Sequence, residues 1–197
     1  MANSTLEKIN KLDINILRFI NRKISNKTLN ILLPPLTNKY KFHYLAEILG
    51  LYLYSRIMKK PEIFKNILLI FSEAFAATVL IKFIIRRQRP FVNHKDIIDR
   101  DSGSPNVGAE EFKIDNEIIK FNRTSWYAFP STEAATSVIL FKTLLKANNP
   151  LHNLFLTSYF SLILFSRMYN GVHRPADIIS GSILGWYWPN KKINLEK

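Results

Sequence analysis

The sequence predicts an all-α fold: a membrane-embedded helical bundle of about five to six spans, with one polar loop outside the bilayer. Three observations predict it. Apolar residues gather into five blocks, 42–58, 63–85, 132–146, 150–167 and 176–189, although the overall apolar content of 47% is ordinary. Alternating these blocks up and down sorts the plain lysines to one side and the chemically unusual stretches to the other. Between 91 and 128 the apolar pattern stops, and seven acidic residues appear, among them Asp96, Asp99, Asp101, Glu110 and Glu111.

A membrane-crossing helix needs about 20 mainly apolar residues. The block 63–85 reaches that length while carrying Lys65, Glu73 and Lys82. The alternative is a soluble helical bundle with long core helices, and charge placement argues against it. If the blocks span, Lys59, Lys60, Lys65, Lys142, Lys146, Lys191, Lys192 and Lys197 share one face, as the positive-inside rule expects of the cytoplasmic side. The other face then collects RRQRP (86–90), FPSTE (129–133) and SRMYNGVHRPAD (166–177).

The elements follow in order. Leu12, Ile16, Phe19 and Ile20 recur at helical spacing with Lys11, Arg18, Arg22 and Lys23 between them. That pattern suits a basic amphipathic helix lying among headgroups, so residues 1–37 are expected to be interfacial. Pro34 and Pro35 interrupt TLNILLPPLT, and no clean span is visible there. Lys8, Lys11, Arg18, Arg22 and Lys23 break every early apolar stretch, which excludes a secretory signal. In the polar connection 91–128, SGSPNVG reads as turns, and EFKIDNEIIKF reads as a small hairpin turning at Asp115-Asn116. A single domain, 1–197, accommodates everything.

The formal charge of +13 suits a negatively charged partner: nucleic acid, anionic lipid or a phosphorylated substrate. The basic residues lie between apolar blocks rather than along a polar face interleaved with aromatics, which argues against a nucleic-acid binder. With no cysteine, disulfides and thiolate metal sites are excluded.

The chemistry concentrates at the ends of the blocks. Pro175 favours a helix start, which places Asp177 in the first turn and His173 at the positive end of the helix dipole. A carboxylate accepting one ring N–H fixes the tautomer and leaves the other nitrogen as base or nucleophile. Arg167 ends the preceding block; Lys82 ends the block 63–85, with Arg89-Pro90 seven residues on. Such cations converging beside a bilayer are costly unless an anion sits among them. Guanidinium groups match phosphate oxygens in bidentate fashion, and ammonium acts as a point charge. Ser131 follows Pro130 at another helix start, where backbone N–H groups face an anion. Arg86 and Arg87 read as plain headgroup anchors.

The spacing Lys82-x6-Arg89-Pro90, then Pro130-Ser131, then Ser166-Arg167-x5-His173-x3-Asp177 resembles the three-part signature of type 2 phosphatidic acid phosphatases. The resemblance implies a helical bundle, usually of six spans, and hydrolysis of lipid phosphates without a metal or cofactor. It also implies roles: His173 attacks phosphorus, Asp177 orients it, and Lys82, Arg89, Ser131, Thr132 and Arg167 hold phosphoryl oxygens. The second motif departs from the family, whose Pro-Ser-Gly-His supplies an acid histidine where this chain has Pro130-Ser131-Thr132-Glu133. Glu133 has three readings. It is a first-turn carboxylate matched to the dipole, or a general acid kept protonated by phosphate and bilayer against three nearby cations, or the mark of a site that only binds phosphorylated lipids. Losing acid–base help slows such a reaction by about 10²–10⁴, and a diphosphate substrate, whose leaving group needs little protonation, suffers least. His94 is a possible stand-in for the missing histidine. The expected partners are a phosphorylated lipid and the bilayer, with the site on the extracytoplasmic side of the plasma membrane.

Overall fold

The computed structural model describes residues 2–37, 42–100, 111–114, 117–120, 127–145 and 149–188. The five apolar blocks become helices α3 (Phe42–Ile57), α4 (Pro61–Ile85), α6 (Thr132–Leu144), α7 (Pro150–Tyr169) and α8 (Pro175–Tyr187). Ahead of them lie α1 (Ala2–Arg18), a π-helical turn over Phe19–Lys23 and α2 (Lys27–Thr37), while α5 (Pro90–Asn93) is a single turn. Prolines open α4, α7 and α8, where the missing N–H costs nothing. The hairpin forms as expected: β1 (Glu111–Ile114) and β2 (Glu117–Lys120) pair antiparallel, with Ile114 opposite Glu117. Its turn residues, Asp115 and Asn116, and the SGSPNVG stretch lie outside the described residues.

The short helix α2 differs from expectation. α2 runs through Pro34 and Pro35 rather than stopping before them. Asn26 caps its start, accepting from the Leu29 N–H at 2.9 Å; each proline forfeits the N–H that would bond a carbonyl one turn back, and the helix ends two residues past the second of them, at Thr37. At 11 residues and about 1.5 Å of rise per residue, it is too short to cross a bilayer.

α6 is the central post. Thr132, Ala134 to Leu140 and Thr143 are all buried, and α8, α4 and α7 pack around it. Contact with α8 is backbone to backbone, because a Cβ on Gly181 would fall on the Ser131 carbonyl oxygen and one on Gly185 on that of Ala135. Small residues four apart are how helices approach closely without a side-chain layer. Gly185→Val is therefore expected to push α8 away from α6 and cost about 3 kcal/mol, read as a drop in thermal midpoint in detergent.

Outside this core the surface is apolar. α4 is long and apolar enough to cross a membrane, and only 28% of its most apolar window is buried. Leu68, Leu69, Phe75, Leu80 and Phe83 of α4 face outward, as do Leu151, Leu154, Phe155 and Leu162 of α7 and Ile179, Ile183 and Trp186 of α8. A soluble core helix would hide these side chains; here a large apolar exterior is left to be covered.

The alternating helices put Lys59, Lys60, Lys65 and Lys142 at the end of the bundle opposite the three motifs. Lys146, Lys191, Lys192 and Lys197 lie outside the described residues. The basic α1 does not join the lysines. It packs at the motif end, with Ile14 and Leu17 buried against Ile97, Phe91 and Met168. Of the predicted stripe, Ile20 is buried, whereas Leu12, Ile16 and Phe19 are exposed.

Candidate active site

Backbone hydrogen bonds stitch the three motifs together. The Arg87 carbonyl accepts from the Ala128 N–H at 2.7 Å, beside an isolated bridge between Gln88 and Tyr127. The buried Lys82 ammonium, in the last turn of α4, donates to the Tyr127 carbonyl at 2.9 Å. The Ser131 N–H donates to the Asp177 carbonyl at 3.0 Å. Segments far apart in sequence thus meet at one end of the bundle.

Each functional side chain is held by its local structure. Ser131 caps α6, its hydroxyl accepting from the Ala134 N–H at 3.3 Å. The N–H groups of Thr132 and Glu133, in the first turn, have no carbonyl partner within an α-helix, which is how Thr132 faces the site. Arg167 sits in the last turn of α7 with 2% exposure. The five-residue connection 170–174 then carries His173, wholly buried, to the start of α8.

The centre is an ion cluster. Glu133 Oε1 accepts from the Arg167 guanidinium at 3.0 Å, and Oε2 stands 3.5 Å from His173 Nε2 and 3.5 Å from the Ser131 hydroxyl. Lys82 feels the charges of Glu133, Arg89, Asp177 and Arg167, so all five share one electrostatic neighbourhood. Burial pushes His173 down to about 3, with Arg167 and Lys82 adding to the effect and Glu133 opposing it. At neutral pH the imidazole is therefore uncharged and one ring nitrogen keeps its lone pair. Neither ring nitrogen has a hydrogen-bond partner among the described residues.

Two expectations need correction. Asp177 does not hold the imidazole by a hydrogen bond: its Oδ2 lies 3.9 Å from Nδ1. That oxygen accepts instead from the Arg174 N–H at 2.8 Å, and Oδ1 accepts from Arg87 at 2.9 Å. Arg87 is thus no headgroup anchor. It bridges Asp177 and Asp13, the latter at 2.7 Å, whereas Arg86 is exposed and donates to the Phe83 carbonyl. Asp13, on α1, was missed, since a single carboxylate in a basic amphipathic stretch carries no local signal. His94 contacts Arg174, with Nε2 3.3 Å from the guanidinium, and no contact joins it to His173 among the described residues. An apolar cleft of about 380 Å³, lined by Val138, Phe141, Phe160, Leu164, Ile183 and Trp186, opens on the other half of α6, α7 and α8, away from the cluster.

Two solved structures share this architecture. The chain is similar to Aquifex aeolicus LpxE, with 20% identity, a TM-score of 0.63, and 89% of this chain and 90% of that one covered. It is also similar to a transmembrane PAP2-type phosphatidylglycerolphosphate phosphatase from Bacillus subtilis, with 18% identity, a TM-score of 0.56, and coverage of 91% and 81%. At these identities the likeness concerns the fold. No curated protein matches the sequence. The profile of the PAP2 superfamily matches residues 64–190, well over half the chain and every motif from Lys82 to Asp177. The chain therefore belongs to the PAP2 superfamily.

Proposed function

We propose that the protein is an integral membrane phosphatase that hydrolyses a lipid phosphate or diphosphate monoester through a phosphohistidine on His173. One observation carries this reading. The site already holds an anion where a phosphoryl group would go: the Glu133 carboxylate, 3.0 Å from the Arg167 guanidinium and 3.5 Å from His173 Nε2. The second distance is that of a near-attack pair. An anion at that spot beside a neutral imidazole is the arrangement that nucleophilic attack on phosphorus requires.

In the proposed reaction the substrate phosphoryl group displaces the Glu133 carboxylate. Its oxygens take up Arg167, Lys82, Arg89 and the first-turn N–H groups of α6, which stabilise the charge of the transition state. His173 Nε2 forms a bond to phosphorus as the bond to the lipid oxygen breaks. The departing oxygen takes the proton that the substrate's monoanionic phosphate carries in and hands to the displaced Glu133 carboxylate, or leaves unaided as the phosphate of a diphosphate. Water then attacks the phosphohistidine, giving its proton to Glu133 and releasing orthophosphate and neutral His173. The chain serves as one domain, with five to six crossings and the site on the extracytoplasmic side of the plasma membrane. The apolar exterior of α4, α7 and α8 supports the membrane setting. Candidate substrates are a polyprenyl diphosphate, phosphatidic acid, phosphatidylglycerol phosphate or a phosphorylated glycolipid.

The same Glu133 contacts favour a second reading, a lipid-phosphate binding protein whose resident carboxylate has silenced the nucleophile. Orthophosphate release from farnesyl diphosphate and phosphatidic acid micelles by wild type and Glu133→His separates the two. An enzyme using Glu133 starts active and loses roughly 10²-fold or more in the variant. A silenced site starts near zero and gains.

A further inference from the structure

We propose that Asp13 and Arg87 are positioning residues that hold Asp177 beneath His173, so that the N-terminal helix completes the active site. This rests on the phosphatase reading above but uses residues outside its machinery. Asp13 also lies outside the segment 64–190 that carries the family pattern.

Four contacts make the case. Asp13 Oδ1 accepts from the Ala176 N–H, in the first turn of α8, at 2.8 Å. Asp13 Oδ2 accepts from one Arg87 nitrogen at 2.7 Å. The other donates to Asp177 Oδ1 at 2.9 Å, and Asp177 Oδ2 accepts from the Arg174 N–H at 2.8 Å. The three side chains are 6%, 21% and 0% exposed, so the chain is shielded from solvent. It joins α1, the segment after α4 and α8.

The electrostatics explain why two carboxylates are needed. A guanidinium facing one carboxylate tends to take both its oxygens in a fork. Asp13 engages one arm of Arg87 and leaves one arm for Asp177, whose Oδ2 thereby stays free to cap α8 and to face His173 Nδ1 at 3.9 Å. Without Asp13, Arg87 closes on Asp177 and draws the carboxylate from the imidazole. The anchor is firm because α1 is packed at this end through Ile14 and Leu17.

Asp13→Asn is the incisive variant. Its side-chain carbonyl still accepts from the Ala176 N–H, so the tie between α1 and α8 survives, while its amide no longer pairs with Arg87. Full-length protein in detergent micelles is assayed with farnesyl diphosphate, alone and in an Arg87→Gln background. In parallel, ¹⁵N-histidine NMR reads the tautomer of His173. The expected result is kcat lowered about 10- to 100-fold with KM unchanged, no further loss in the Arg87→Gln background, and His173 moving from one tautomer to a mixture. Unchanged kcat with unmoved His173 resonances would overturn the proposal, as would losses that simply add in the double variant. If Asp13→Asn does not fold, Arg87→Lys carries the test, since one ammonium cannot bridge two carboxylates in this geometry. A wild type that releases no phosphate would count against the phosphatase reading, while the His173 resonances would still decide the positioning role.

Discussion

His173→Ala is expected to lower orthophosphate release by about 10⁴-fold or more and to leave the protein folded. The size follows from removing the atom that bonds to phosphorus, which no neighbour replaces. His94 faces Arg174 instead, and the Glu133 carboxylate stands on the same side as the phosphoryl seat. That folding survives is the less obvious half. His173 is wholly buried, yet neither ring nitrogen has a hydrogen-bond partner among the described residues. Truncation therefore strands no donor or acceptor and relieves the cost of a desolvated imidazole, against the cavity it leaves. A thermal midpoint within a few degrees of wild type, together with lost turnover, is the expected pair of results.

Arg167→Ala is expected to lose both activity and stability. Its guanidinium is 2% exposed and pairs with Glu133 at 3.0 Å. Removing one partner of a buried pair strands the other charge and costs about 3–5 kcal/mol. Adding Glu133→Gln removes the stranded charge, so the double variant should regain much of the lost stability and none of the turnover. Denaturant midpoints of the single and double variants, beside phosphate release, check this. If the double variant is no more stable than Arg167→Ala, Glu133 is not the partner that matters.

Much of this architecture was legible because it is written locally. The five apolar blocks coincide with α3, α4, α6, α7 and α8 to within a few residues. Pro175 and Asp177 mark the start of α8 through the missing N–H of one and the capping carboxylate of the other. The hairpin followed from two short strands around Asp115-Asn116. The third motif was readable because a fixed spacing across one connection carries its chemistry.

What stayed hidden depends on contacts between distant segments. Asp13 and Arg87 are 74 residues apart, and Asp13 and Ala176 are 163 apart. No periodicity within either segment records such a pairing. α1 and the π-helical turn after it present apolar residues on two sides, so the spacing was equally compatible with the exposed face of Leu12, Ile16 and Phe19 and with the buried one of Ile14 and Leu17. Asn21, buried and bonded to the Ile98 and Tyr169 carbonyls, ties the same region to the motif end. Glu133 was legible as a member of the site through the second motif, but its pairing with Arg167 at 3.0 Å was not, because that contact depends on α6 and α7 meeting.

The central claim is that His173 bonds covalently to phosphorus at a seat now filled by Glu133. The direct measurement is to trap wild-type protein turning over [³²P]-labelled farnesyl diphosphate in strong base, which preserves phosphohistidine, and to map the label by mass spectrometry. Label on the peptide containing His173, absent from His173→Ala, is the predicted result. Steady phosphate release with no label on that residue would contradict the account.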